Sequence, residues 1–331
     1  MEDGKDRIRA YGLCSGGLDS ILAGLVLREQ DIDVQWISFE TPFFSAGKAR
    51  KAARMTGIPL RVERITETYL KMLRNPNLGY GKHMNPCCDC HALMFNLAGR
   101  IMEAEGGHLL FSGEVLGQRP MSQVRNSLRY VEKHSGYRGY ILRPLSAKKL
   151  DPTIPEERGW VDRERLLDFA GRGRKPQIAL AEAFGITDYP APAGGCLLTD
   201  KGYSKRLADL FEHMDDTPER DLELLKHGRH FRLDPSTKAV VGRNKSDNDR
   251  IEALYDPSTD ILCSMMEIPG PRVLVPGIDS DGAAGMAARL CARYSRARDG
   301  AAVRVLVSRP GGRDEVSVPV AVDPNGVAAQ F

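Results

Sequence analysis

The sequence predicts an α/β protein: a doubly wound parallel sheet, then a helical extension, then a smaller α+β domain. Three observations point there. Short apolar runs alternate with helix-length periodic segments through residues 1–150, the pattern of a parallel sheet covered on both faces by right-handed crossovers. From 151 to 227 prolines punctuate segments with helical spacing, and from 228 to 331 the runs turn strand-like and hairpin-like. No stretch of 18 apolar residues occurs anywhere, so a membrane-spanning helix is not expected.

In chain order, Ile8–Cys14 reads as a strand ending at Ser-Gly-Gly, and Leu18–Arg28 as the first helix. Val34–Phe39 is the second strand, Ala46–Thr56 a helix with its Lys and Arg outward, and Leu60–Arg64 the third strand. His91–Ala104 has strong helical periodicity; the strand His108–Phe111 follows, and Tyr140–Leu142 is a further strand closed by Arg143-Pro144. Helices are expected around Val161–Ala170, Pro176–Phe184, Tyr203–His213 and Glu219–His227. Beyond Gly228 the segments HFRL, KAVVGR, RVLVPG, AVRVLVSR and EVSVPVAV read as strands, with one small-residue helix at Ala283–Ala292.

Composition narrows the class. The chain has 331 residues, 42% hydrophobic and 27% charged, a globular balance that excludes wholesale disorder. The net charge of +3 is too small to mark a nucleic-acid binder, but its distribution is uneven. Between Arg119 and Lys149 eight Lys/Arg face a single acid, Glu132, with Tyr130, Tyr137 and Tyr140 among them, and Arg172, Arg174 and Lys175 follow. Such a field docks a polyanion or simply forms a solvated surface. Seven cysteines with a CxxC spacing suit reactive or metal-binding thiols in a reducing compartment better than a disulfide framework. The N-terminus lacks an apolar leader segment, so a cytoplasmic protein is expected.

The sharpest chemical signal is Ser15-Gly16-Gly17-Leu18-Asp19-Ser20, between the first strand and the first helix. Consecutive glycines let several backbone N–H groups face one point, and the helix start adds its dipole, so an anion with several oxygens is favoured. Ser15 and Ser20 offer hydroxyls; Asp19 would repel phosphate unless it caps the helix or holds a metal. No lysine follows, so this is not a Walker-type loop.

The string SGGLDS resembles the PP-loop of the ATP pyrophosphatase superfamily, whose members cleave ATP to AMP and pyrophosphate and share an adenine nucleotide alpha hydrolase-like sheet. Asn85-Pro86-Cys87-Cys88-Asp89-Cys90-His91 resembles the NPCxxCN segment of tRNA thiouridylases, with His91 where that pattern has Asn. Phe111-Ser112-Gly113-Glu114-Val115-Leu116-Gly117-Gln118 is similar to a segment of the 4-thiouridine synthetases, and Ala193-Gly194-Gly195-Cys196-Leu197 to the later cysteine loop of the 2-thiouridylases. Val241–Asn248 and its surroundings resemble the RNA-binding module of the NFACT proteins, although residues 228–331 hold 14 basic against 13 acidic side chains.

What these resemblances imply is an ATP-dependent tRNA thiouridylase. The PP-loop, Ser15, Gly16, Gly17, Asp19 and Ser20, would grip the pyrophosphate of ATP with Mg²⁺. Glu114 and Gln118, at the carboxyl edge of the sheet, would meet the nucleotide, the metal or the target base; a capping Glu and a surface Gln is the plainer alternative. Cys87, Cys90 and Cys196, read as loop residues, would carry sulfur. Three cysteines suit a [4Fe–4S] cluster with one open iron; Cys90 and Cys196 alone suit a persulfide route; His83 or His91 would complete a zinc site. Cys14, Cys263 and Cys291 read as buried hydrophobes. The expected partners are tRNA and a sulfur donor (cysteine desulfurase, carrier protein or sulfide), with a homodimer left open. A PP-loop sulfur transferase or amide-forming ligase acting on a small molecule is the alternative.

Overall fold

The computed structural model describes residues 7–191, 196–277, 281–320 and 329–330. The chain divides into two compact units, Met1–Thr199 and Asp200–Phe331.

The first unit is built on a five-stranded sheet of β1 (Arg9–Leu13), β2 (Asp33–Glu40), β3 (Leu60–Arg64), β4 (Leu109–Ser112) and β5 (Ile141–Leu142), ordered β3-β2-β1-β4-β5. Every pairing is parallel, and β1 lies between β2 (Ala10 opposite Val34) and β4 (Ala10 opposite Leu109). The order therefore reverses at β1, and the crevice beyond the carboxyl ends of β1 and β4 is the topological switch point, where such sheets bind ligands. Helix α1 (Leu18–Arg28) matches its sequence boundaries and is buried nearly all round. Leu18, Ile21, Leu22 and Leu25 share a core with Trp36, Leu109 and Phe111. Each such fully buried large side chain contributes about 1.5–3 kcal/mol. Helix α2 (Gly47–Thr56) ends at Gly57, whose φ of 70° is the left-handed stop that glycine accepts most readily.

Several elements depart from the sequence reading. A helix α3 (Thr66–Arg74) and a helix α5 (Arg125–Ser135) were not foreseen. Helix α4 spans Cys87–Ala104, so it begins four residues before His91, and Cys87 and Cys90 lie in its first turn rather than in a loop. Proline suits a helix start because it gives up only an N–H that the helix leaves unpaired, and Pro86 stands at that start. The helix expected at Val161–Ala170 does not form: only Arg163–Arg165 makes a 3₁₀ turn. The segment bonds elsewhere, Leu167 N–H to Pro144 O, Phe169 N–H to Leu145 O, and Leu167 O accepting from Lys148. Short α6 (Ile154–Glu157) and α7 (Lys175–Ala183) complete the unit.

The second unit opens with α8 (Lys201–His213) and α9 (Glu219–Leu224). Its sheet comprises β6 (Arg229–Arg232), β7 (Lys238–Val241), β8 (Ile261–Met265), β9 (Arg272–Val275), β10 (Ala302–Arg309), β11 (Gly312–Pro319) and β12 (Ala329–Gln330). The order is β11-β10-β8-β9-β7-β6-β12 and all pairings are antiparallel. Helix α11 (Asp281–Arg293) packs against β8, β9 and β10 over a core holding Val273, Cys263 and Cys291, and α10 (Lys245–Ala253) against β9 with Ile251 beside Leu274 and Val240. The smaller α+β domain is thus present, with β8, β12 and α10 added to the elements read from sequence.

Candidate functional site

The Ser15–Ser20 loop lies at the switch point. Gly16 has φ 71°, and a Cβ there would meet the Lys48 and Ala49 backbone at 2.2–2.4 Å. A Cβ on Gly113 would meet the Asp19 and Ser20 backbone at 2.3–2.5 Å, so the loop is pressed between α2 and the residues following β4. Helix α1 has no side-chain cap, which leaves its first-turn amides to solvent or a ligand. Ser20 is buried, and its hydroxyl donates to Gly17 O at 2.8 Å. Ser15 is exposed and accepts from Gly17 N–H at 3.3 Å.

Asp19 is the incompletely satisfied member. Its Oδ2 accepts from Gln118 Nε2 at 2.9 Å, while Oδ1 is buried without a hydrogen-bond partner among the described residues. Gln118 is held in turn by Gln177 Nε2 at 3.4 Å. The start of α7 reaches this point because Gly171 N–H donates to Leu116 O at 2.7 Å and Leu116 bridges Ala170. Two further buried atoms there, Arg174 Nε and Gln177 Oε1, have no partner among the described residues. Buried polar atoms are nearly always paired, and three bare ones on the chain segments meeting at one crevice fit a ligand with both acceptor and cationic character, such as a phosphate with its divalent ion.

Glu114 is neither a helix cap nor a group open to the crevice. Its Oε2 accepts from Arg143 Nε and Ser112 Oγ, both at 3.0 Å, and its Oε1 pairs with His91 Nδ1 at 2.9 Å. Burial raises its pKa, but Arg143, His91 and Ser112 outweigh that and hold it at about 2. Arg143, counted above with the basic surface stretch, is instead buried, clamping Glu114 and Glu132. The remaining seven cations of Arg119–Lys149 are exposed.

The cysteines converge around a residue the sequence reading did not single out. Tyr69, on α3, is almost fully buried; its hydroxyl shares a hydrogen bond with Cys90 and feels Cys90, Cys196 and Cys87 electrostatically. Cys196 is brought over by Leu197 N–H donating to Phe43 O at 3.1 Å, and the Phe43 ring packs on Tyr69 at 5.6 Å. Residues Ala193, Gly194 and Gly195 of that loop lie outside the described residues. Asp89 fixes the start of α4, its carboxylate accepting from Leu78 N–H at 2.9 Å and Tyr130 Oη at 2.6 Å. Burial pushes the Cys90 thiol up to about 12 against the Tyr69 hydrogen bond, and the Cys196 thiol up to about 11. A first-turn position ordinarily lowers a thiol pKa; for Cys90 desolvation wins.

Among the described residues no three His, Cys, Asp or Glu side chains are disposed to close on a single metal ion, and His91, one of the two histidines considered for a zinc site, is engaged by Glu114. Three thiols without a fourth donor fit a cluster in which each cysteine binds a different iron. Cys14, Cys263 and Cys291 are buried in the cores. No helix among the described residues is long and apolar enough to cross a membrane.

Comparison with known proteins assigns the C-terminal region. Residues 228–326 match the NFACT protein RNA binding domain, so the second unit carries an RNA-binding module. No curated protein matches the chain. A predicted subunit of tRNA methyltransferase from Methanocaldococcus jannaschii is similar over 53% of this chain and 76% of its own, with 14% identity and a TM-score of 0.35. The C-terminal part of the fibronectin/fibrinogen-binding protein from Streptococcus suis covers 46% of this chain and 74% of its own, with 18% identity and a TM-score of 0.26. At these scores neither likeness bears on function.

Proposed function

We propose that the protein is an ATP-dependent RNA sulfurtransferase that adenylates a uridine carbonyl in tRNA and replaces its oxygen with sulfur. The observation that carries this is the convergence of Cys87, Cys90 and Cys196 in the unit whose switch point bears the SGGLDS loop. An RNA-binding module on the same chain favours an RNA substrate over a small molecule.

A carbonyl oxygen is a poor leaving group until it is made a phosphate ester. The uridine oxygen attacks the α-phosphate of ATP, forming the O–P bond as pyrophosphate departs. The amides at the start of α1 and the Ser15 hydroxyl face the charge that pyrophosphate gains. Asp19 Oδ1 is the oxygen free to take Mg²⁺ there, while Gln118 holds the other. A sulfur nucleophile then adds to the activated carbon, and AMP leaves with the original oxygen. A [4Fe–4S] cluster, held by Cys87, Cys90 and Cys196, would supply an iron site for sulfide. The raised pKa values of Cys90 and Cys196 support a ligand role, because a buried neutral thiol is a weak nucleophile whereas metal coordination deprotonates it. In the persulfide route a persulfide donor (a cysteine desulfurase or carrier protein) transfers sulfane sulfur to Cys90 or Cys196, and the persulfide adds to the activated carbon. The other cysteine attacks the S–S bond to release the thiouridine, and a reductant resets the resulting disulfide.

The test pairs ATP–pyrophosphate exchange in the presence of tRNA with nucleoside mass spectrometry of tRNA incubated with the protein, ATP and either sulfide or a persulfide donor. Thiouridine with one AMP per product is expected; AMP formation that is independent of RNA and yields no thionucleoside would overturn the reading. Protein purified without oxygen should be brown with about four irons per chain. Colourless, iron-free and active protein would leave the persulfide route.

A further inference from the structure

At the open edge of the parallel sheet, away from the SGGLDS loop in sequence, α5, β5 and the segment leading into α6 enclose a groove of about 470 Å³, within the size range of ligand pockets. Its floor is apolar: Leu128, Ile141, Leu142, Ala147 and Leu150. Its rim is cationic. Arg125, Arg129 and Lys133 fall at i, i+4 and i+8 along α5, on one face, and Arg138 stands on the loop that follows.

The carboxylates lining the groove are already engaged. Glu132 accepts from Arg143, Asp151 from Arg129 at 3.1 Å, and Glu156 from Thr153 and Arg163. Arg125 donates to Lys149 O. Lys133 and Arg138 make no ion pair among the described residues. Beneath them Arg143, 3% exposed, also lines the groove, and its Nη2 is buried without a hydrogen-bond partner among the described residues. Desolvating a guanidinium nitrogen with nothing to donate to is costly, and an anion in the groove would supply the acceptor.

We propose that this groove binds a nucleotide segment of the RNA substrate, a base against the apolar floor and its phosphates against Lys133, Arg138 and Arg143. A bare phosphate would have no use for five apolar side chains, and an apolar ligand none for the cations. Arg143 also places the groove beside the candidate chemistry: its Nε bonds Glu114, and Glu114 bonds His91, one residue after Cys90 on α4. RNA anchored here is two side chains from the cysteine helix. This assignment rests on the RNA-partner reading and is independent of the sulfur chemistry.

The experiment compares the full-length protein with K133A/R138A and with the control R100A, which removes an exposed α4 cation that does not line the groove. Binding to an unmodified tRNA transcript and to a short single-stranded oligoribonucleotide is measured across salt concentrations. Each lost phosphate contact lowers the log–log salt slope by about 0.7–0.9, so the double variant should lose about 1.4–1.8 and R100A nothing. Melting temperature, and equilibrium binding of ATP measured without RNA, should be the same in both variants as in the full-length protein. A full-length protein that binds no RNA overturns both the RNA reading and the groove. RNA binding with an unchanged slope in the double variant overturns the groove alone. Loss of uridine monophosphate binding with an unchanged RNA slope would make the ligand a free nucleotide, which also overturns the proposal.

Discussion

Asp260 and Asp19 are carboxylates treated in opposite ways by the two units. Asp260, fully buried in the second unit, accepts from Arg220 Nη1 at 3.0 Å, from the backbone N–H of Asp256 at 2.8 Å and Gly277 at 2.9 Å, and from Thr259 Oγ1 at 3.0 Å. Asp19, at the switch point of the first unit, has one oxygen bonded to Gln118 and the other bare. A saturated buried carboxylate holds a fold together; one left half-satisfied is disposed to receive something. The contrast sets a carboxylate satisfied within the fold against one we propose to work in binding, and it can be broken from either side.

The largest effect should come from Asp260→Ala. Removing it leaves two backbone amides without their acceptor and Arg220 with Asp221 alone, and breaking a buried pair costs about 3–5 kcal/mol. Denaturant unfolding of the second unit's transition should show this, and a loss below about 1 kcal/mol would mean that water replaces the carboxylate freely. Asp19→Ala should behave in the reverse manner. AMP formation should fall by about 10²–10³, the scale of one lost charge-stabilising contact, while stability changes by no more than about 1 kcal/mol, the worth of the Gln118 bond. Normal ATP turnover in that variant would dissolve the comparison.

Elements of the first unit also differed in how far the sequence disclosed them. Leu18–Arg28 was legible to the residue because an apolar run is bounded by Ser-Gly-Gly on one side and charges on the other, and Leu60–Arg64 because its apolar–charged alternation follows Gly57-Ile58-Pro59. Helix α5 was hidden by its own charge: with only Leu128, Val131 and Ser135 buried, it read as a basic stretch and not as a helix presenting one. Leu166 and Phe169 have helical spacing, yet tertiary hydrogen bonds to residues 144–148 claimed the backbone, which no local pattern encodes. Of the candidate site, the loop and the three cysteines stood out by residue type. Tyr69 did not, since a buried tyrosine at i−4 to Leu73 looks like core. Arg143 reads as one of a stretch of surface cations and Glu114 as a ligand-facing or capping group, because a buried ion pair leaves no periodic trace.

Acid titration sharpens the comparison at a third carboxylate. Glu114 is held at about 2, below its ordinary 4.5, so the folded state binds its proton more weakly than the unfolded chain does. Its contribution is complete above pH 4.5 and is lost as pH falls through about 2. The ceiling is about 3 kcal/mol. Melting temperature followed from pH 6 to pH 2 should drop along this limb, and Glu114→Gln should flatten it. An identical acid limb in the variant would assign the loss to other carboxylates.

The smallest effect belongs to Cys263→Ala, the counterpart of Cys90→Ala. Cys263 on β8 is fully buried in a core with Val273, Val305 and Cys291, and burial raises its thiol pKa far above the ordinary value. Cys90 is raised by the same cause, but its neighbours are Tyr69, Cys196 and Cys87. The pKa direction alone therefore does not tell a structural cysteine from a functional one; its company does. Cys263→Ala removes a sulfur atom from an apolar site and should cost about 1 kcal/mol, a few degrees in melting temperature, with AMP formation and thiolation intact. Cys90→Ala should abolish thiolation while leaving tRNA-dependent ATP–pyrophosphate exchange measurable, because the loop proposed to meet ATP does not depend on it. If the two variants were equal in thiolation, the cluster around Tyr69 would be a packing feature, and the sulfur chemistry assigned to the first unit would have to be withdrawn.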